Sequence, residues 1–81
     1  MIEQVRSVLS QTAMIPPHIA TLPEDANLPE AGLTSFASVQ MMLALEEHFD
    51  IEFPETMLNR RTFATLGNVS TAVAELTRKA A

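Results

Sequence analysis

The sequence has no cysteine, no tryptophan and no tyrosine. The first absence excludes disulfides, thiolate metal sites and cysteine nucleophiles, so any thiol this protein carries must come from a cofactor. With four phenylalanines as its only aromatic side chains beside the histidines, and five methionines, the core must be aliphatic and methionine-rich. That suits helix packing better than a β-sandwich. Positive charge is scarce: five Lys and Arg stand against ten Asp and Glu, a net charge of −5. Such a balance speaks against nucleic acid or an anionic membrane surface as partner and favours proteins with basic docking patches. No apolar run is long enough for a membrane span. The opening Met1-Ile2-Glu3-Gln4-Val5 has no basic stretch ahead of an apolar one, so a cytoplasmic location is expected.

Eighty-one residues, 47% of them apolar, make one small domain with a core but no room for a sizeable catalytic cleft. The spacing of Ile2, Val5, Val8 and Leu9 predicts a first helix over residues 2 to about 14, with Glu3, Gln4 and Arg6 on its polar side. Pro16-Pro17 ends it. A long connection over 15–34 holds four of the five prolines, with Ile19, Leu22 and Leu28 expected to pin it to the core. The strongest helix signal covers 35–49, where Thr34 or Ser35 can cap the start. Its inward stripe is read as Phe36, Met42, Leu45 and Phe49 with Met41 at the edge, leaving Val39 and Leu43 partly outside. An extended link, Ile51 to Phe53, leads to a brief helix from Pro54 through Met57 and Leu58, closed by Asn59-Arg60-Arg61. Thr65 caps a last helix over about 66–79 with Val69, Val73 and Leu76 inside and Arg78 and Lys79 at its negative end. The fold class is all-α: three main helices, one short helix and a long first loop.

Ser35 stands where the loop Ala31-Gly32-Leu33-Thr34 meets the second helix. A phosphate on its hydroxyl would lie among free backbone N–H groups at the positive end of the helix dipole. The serine, its distance to Leu45-Glu46-Glu47-His48-Phe49, the link Ile51-Glu52-Phe53-Pro54 and the loop Asp25-Ala26-Asn27-Leu28 together resemble the acyl carrier protein family. The likeness follows helix order along nearly the whole chain and is strongest over 28–54. It implies a single carrier domain over residues 1–81, with 4'-phosphopantetheine joined to Ser35 by a phosphopantetheinyl transferase. The arm's thiol would then hold a carboxylic acid as a thioester for partner enzymes, making the protein a substrate and shuttle rather than an enzyme. Two positions depart from the family pattern. The aspartate usual before the serine is Thr34, and the leucine usual after it is Phe36. The first leaves open whether a general or a dedicated transferase modifies the serine.

Fatty-acid carriers place acidic residues along the modified helix. At the matching positions here stand Thr34, Ala37, Gln40 and Glu47, of which only the last is acidic. The carboxylates gather instead at Glu46, Glu47, Asp50, Glu52 and Glu55, so an enzyme with a basic patch would lose several contacts near the serine. The stretch Phe53 to Phe63 is similar to stand-alone aminoacyl carrier proteins. Those receive glycine or alanine from an amino acid:carrier protein ligase related to class II aminoacyl-tRNA synthetases. That resemblance implies ligase docking through Met57, Arg60 and Arg61, while Val39 and Leu43, apolar and outside the inward stripe, are candidate partner contacts beside Thr34 and Phe36, which flank the serine. Against it, Met57 could be core and both arginines solvated. So small a core is not expected to sequester a long acyl chain deeply. The chain is expected to be monomeric, with its downstream acceptor undefined by sequence.

Other readings fit parts of the sequence. One is a discrete carrier of a polyketide, nonribosomal peptide or lipid pathway. Another is an unmodified helical interaction module, with Val39, Leu43 and the methionines meeting a partner helix. A hydrolase would need Ser35 with His18 or His48 and Asp50, but there is no Gly-x-Ser-x-Gly elbow, and His48 lies about 20 Å along the helix from Ser35. No metal site is expected: Glu46, Glu47, His48 and Asp50 are close in sequence but diverge around a helix, reading as a solvated face.

Overall fold

The computed structural model describes residues 1–80, in which three α-helices pack around one core and no strand occurs among the described residues. Helix α1 spans Ile2–Gln11 and buries Val5, Val8 and Leu9, the face its spacing predicts. It stops short of residue 14. The Thr12 hydroxyl donates back to the Val8 carbonyl at 2.8 Å, and the residue itself is extended, with φ −91° and ψ 114°. The chain then turns so that Ile15 enters the core ahead of the prolines.

The connection from α1 to the next helix contains a 3₁₀ turn, Pro17–Thr21, which buries Ile19 and Ala20. Leu28 and Leu33 are buried beyond it, and Leu22 is half-buried. Arg6 holds this turn in place. Rather than lying on the solvated side of α1 with Glu3 and Gln4, its Nη1 donates to the carbonyls of Ala20 at 2.9 Å and Leu22 at 2.6 Å. Those acceptors sit at the C-terminal end of the turn, where carbonyls lack intrahelical partners. Two backbone bonds tie the connection to the segment around the last helix: Leu28 N–H to the Ala64 carbonyl at 2.8 Å and Gly67 N–H to the Glu24 carbonyl at 2.9 Å. A Cβ on Gly67 would stand 3.2 Å from that Glu24 oxygen, so glycine allows the close approach.

Helix α2 spans Ser35–Phe49. Its buried line is Ala37, Met41 and Leu45, with Met42 and Phe49 half-buried at the sides. The face is therefore rotated from the expected stripe: Met41 is at its centre, and Phe36 points outward, 57% exposed. The cause is the composition of α2, which is apolar nearly all round from Phe36 to Leu45, so periodicity alone does not select a face. Val39 and Leu43 lie on the exposed side, as expected. Asp50 ends the helix in the left-handed region, φ 53° and ψ 51°.

Glu46 leaves the solvated face expected for it. Its Oε2 accepts from the Phe53 N–H at 2.9 Å and fixes the extended link to α2. Phe53 is buried with its ring edge against Phe63, centroids 5.4 Å apart. The short helix is a 3₁₀ turn over Glu55–Met57, and Leu58 lies beyond it, exposed. Helix α3 spans Leu66–Ala80. Its cap is Thr65, whose Oγ1 accepts from the Asn68 N–H at 3.0 Å. Leu66, Val69 and Val73 are fully buried, with Leu76 half-buried. Each such large aliphatic side chain withdrawn from water contributes about 1.5–3 kcal/mol.

Candidate functional site

Four consecutive residues build the start of α2. Gly32 has φ +110°, a conformation that side chains disfavour, and it reverses the chain. The turn is closed by the Leu33 N–H donating to the Leu28 carbonyl at 3.0 Å. Leu33 then drops into the core as an anchor. Thr34 is the cap: its Oγ1 accepts from the Ala37 N–H at 3.1 Å, and its carbonyl from the Ser38 N–H at 2.9 Å. Of the two alternative caps, Thr34 therefore takes the role, and the Ser35 hydroxyl is left exposed at the first helical position.

Two N–H groups at this helix end, those of Ser35 and Phe36, have no partner among the described residues. They are the free donors that a helix start presents to an anion. His18 braces the loop behind them, its Nε2 2.7 Å from the Ala31 carbonyl oxygen. It is thus engaged elsewhere and does not meet Ser35. His48 lies at the far end of α2 with its ring edge against Phe49. Neither histidine forms a dyad with the serine.

Beside Ser35 runs an open groove of about 860 Å³. One wall is α2, through Ser35, Ser38, Val39 and Met42. Opposite is the segment before α3, through Leu58, Asn59, Arg60, Phe63 and Ala64, and the loop ahead of α2 adds Asn27, Pro29 and Leu33. The groove lies on the surface and outside the packed core. No Asp or Glu lines it. The exposed carboxylates Glu47, Asp50, Glu52 and Glu55 gather at and beyond the other end of α2. Ala37, one of the positions compared with acidic contacts in fatty-acid carriers, is buried and cannot meet a partner at all.

The seven expected docking residues fall into three places. Thr34, Phe36 and Leu43 lie on the exposed start and outer side of α2, and Val39, also exposed, stands in the groove wall beside Ser35. Arg60 faces the groove across from Ser35. Met57 is half-buried against the core and lines a separate shallow hollow of about 260 Å³ with Arg61, Thr62, Asn68, Thr71 and Glu75. Leu58, Asn59 and Phe63 were not expected at the site. Nothing in their spacing marks them, because the groove exists only once the 58–64 segment folds back beside α2.

An exposed hydroxyl, two unpartnered N–H groups and one guanidinium, with no carboxylate in the groove wall, fit a phosphodiester on Ser35 and a polar arm leaving it. Comparison with known proteins gives the family of the chain. The model of the phosphopantetheine attachment site family matches residues 3–73. An aminoacyl carrier protein of Agrobacterium fabrum is 45% identical over 69 residues, 85% of this chain and 83% of that protein. A D-alanyl carrier protein of Lactobacillus acidophilus is 42% identical over 53 residues, 64% of this chain and 67% of that protein. Among solved structures, the carrier protein from Agrobacterium tumefaciens, complexed with an engineered Bradyrhizobium japonicum glycine:[carrier protein] ligase and AMP, superposes with a TM-score of 0.79. It is 43% identical, over 91% of this chain and 99% of that one.

Proposed function

The chain belongs to the phosphopantetheine attachment site family of carrier proteins, and from that premise we propose that Ser35 bears the arm and that the cargo is a small amino acid. When bound, the arm supplies a terminal thiol that holds a carboxylic acid as a thioester. The single observation that carries the assignment to Ser35 is its hydroxyl, exposed at the first position of α2 beside two unpartnered N–H groups. The Ser35 oxygen forms the new bond to phosphorus, its proton passes to a base of the transferase, and the adenosine bisphosphate part of coenzyme A leaves. The N–H groups of Ser35 and Phe36, without partners among the described residues, would be the donors nearest the phosphodiester charge. Thr34 fills the capping role that a carboxylate could fill, so it leaves the approach to the serine uncharged.

The cargo reading rests on the likeness to an aminoacyl carrier protein and to a carrier protein bound to a glycine:[carrier protein] ligase. In this reading a comparable ligase docks on Thr34, Phe36, Val39 and Leu43. The apolar residues of that set sit at i, i+3 and i+7 along α2 and are exposed, Phe36 and Leu43 on its outer side and Val39 at the groove. Met57 and Arg61 offer a second contact around their own hollow. The chain then works as a single monomeric carrier domain over 1–81, a substrate and not a catalyst, in the cytoplasm. No described helix is long and apolar enough to cross a membrane.

Intact mass after co-expression with a broad-specificity phosphopantetheinyl transferase tests the first part. Wild type should gain one phosphopantetheine and Ser35→Ala none; no gain on wild type refutes it. Incubating the holo protein with an amino acid:carrier protein ligase, ATP and glycine or alanine tests the second. Loading should occur with the amino acid, while loading by fatty acyl or malonyl transfer alone would point to a polyketide, peptide or lipid pathway.

A further inference from the structure

Of the five cationic side chains, four are placed away from Ser35. Arg6 is bound to two loop carbonyls, Arg61 faces the other hollow, Arg78 sits in the last turn of α3, and Lys79 pairs with Glu75 at 3.3 Å. Arg60 alone shares the groove with Ser35. It is exposed, has no ion-pair partner among the described residues, and meets no carboxylate in the groove wall. A planar guanidinium matches the oxygens of a phosphate better than an ammonium does.

We propose that Arg60 is a positioning residue for the arm: it pairs with the phosphodiester on Ser35 and holds the start of the arm in the groove. This rests on the reading that Ser35 carries the arm. It separates Arg60 from Arg61, its neighbour in sequence, and takes Arg60 out of the ligase-docking set. An arm held on the groove side leaves Phe36 and Leu43 clear on the outer side of α2, so one carrier can present a docking surface while its arm is at rest. An exposed pair of this kind shifts the resting population by only about two- to fivefold, so a partner enzyme withdraws the arm at little cost.

The test compares apo and holo protein, with modification verified by intact mass, for wild type, Arg60→Gln, Arg60→Lys and Arg61→Gln. The readouts are the Arg60 and Arg61 side-chain Nε–H signals in proton–nitrogen spectra, the phosphorus resonance of the holo forms, and the change in Tm on modification. The Arg60 signal should move on modification and the Arg61 signal should not. The phosphorus resonance should differ between wild type and Arg60→Gln, with Arg60→Lys between them. The gain in Tm on modification should be smaller in Arg60→Gln by roughly 2–5 °C, and unchanged in Arg61→Gln. Full modification with the same phosphorus resonance and the same Tm gain in wild type and Arg60→Gln overturns this proposal and leaves the carrier reading standing. No modification of wild type overturns both.

Discussion

Replacing Thr34 by valine removes one hydroxyl and keeps the branched shape of the side chain. The backbone there, φ −74° and ψ 165°, is one that valine adopts freely, so the substitution isolates the cap. What is lost is the one acceptor for the Ala37 N–H among the described residues, held at 3.1 Å. Ala37 is 3% exposed, so water has poor access to the orphaned donor. Loss of an N-cap side chain costs about 0.5–2 kcal/mol, and a shielded donor belongs in the upper half of that range. A cost of about 1.5 kcal/mol corresponds to a fall in Tm of roughly 6–12 °C for a domain of this size. Thermal and urea unfolding followed by circular dichroism would measure it. Thr34→Ser keeps the acceptor and should stay within about 0.5 kcal/mol of wild type. Thr34→Asp keeps the cap and places a negative charge at the positive helix end, so it should equal or exceed wild type by about 0.3–1 kcal/mol. If valine and serine at position 34 melt together, the capping argument is wrong and the start of α2 is held by Leu33 and Gly32 alone.

Other substitutions test other parts of the fold by the same unfolding measurements. Arg6→Gln should lose about 1.5–3 kcal/mol, since two carbonyls at the end of the Pro17–Thr21 turn lose a charged donor. Met41→Ala should cost about 2–5 kcal/mol while Phe36→Ala stays within about 0.5 kcal/mol; the reverse order would mean that α2 is rotated from the face described. Ser70→Ala should be neutral or stabilising by up to about 1 kcal/mol, because the buried Ser70 hydroxyl has no partner among the described residues and alanine is the better helix former.

The helix ends were legible in the sequence because their causes are local. Thr65 caps α3 and Thr34 caps α2 through bonds to residues three positions on. The inner faces of α1 and α3 were legible for a similar reason, since each carries a polar side that contrasts with Val5, Leu9, Val69 and Val73. Helix α2 has no such contrast, and the choice of Met41 over Phe36 as core is made by the helices and loop packed against it. The contacts of Arg6 and Glu46 were not legible for the same reason. Both are charged residues on polar sides, and both bond backbone groups in segments that only the fold brings near. Ser35 was legible as an exposed hydroxyl at a helix start, whereas the groove was not, because its second wall comes from residues more than twenty positions away.

The separation of charge from the serine has a consequence for partner choice. Glu47 is twelve residues along α2 from Ser35, about 18 Å at ~1.5 Å per residue. That is more than twice the screening length of ~8 Å at physiological ionic strength, so the carboxylates at that end exert little field at the hydroxyl. Glu30, an acid closer in sequence on the preceding loop, does not line the groove. An enzyme that finds such a protein by a basic patch would be drawn to the end of α2 opposite Ser35. One that reads Phe36, Val39 and Leu43 meets the carrier within about two helical turns of Ser35. Apolar contacts of this sort give orientation with little long-range steering, which suits a dedicated partner better than a competition among many basic enzymes for one acidic helix.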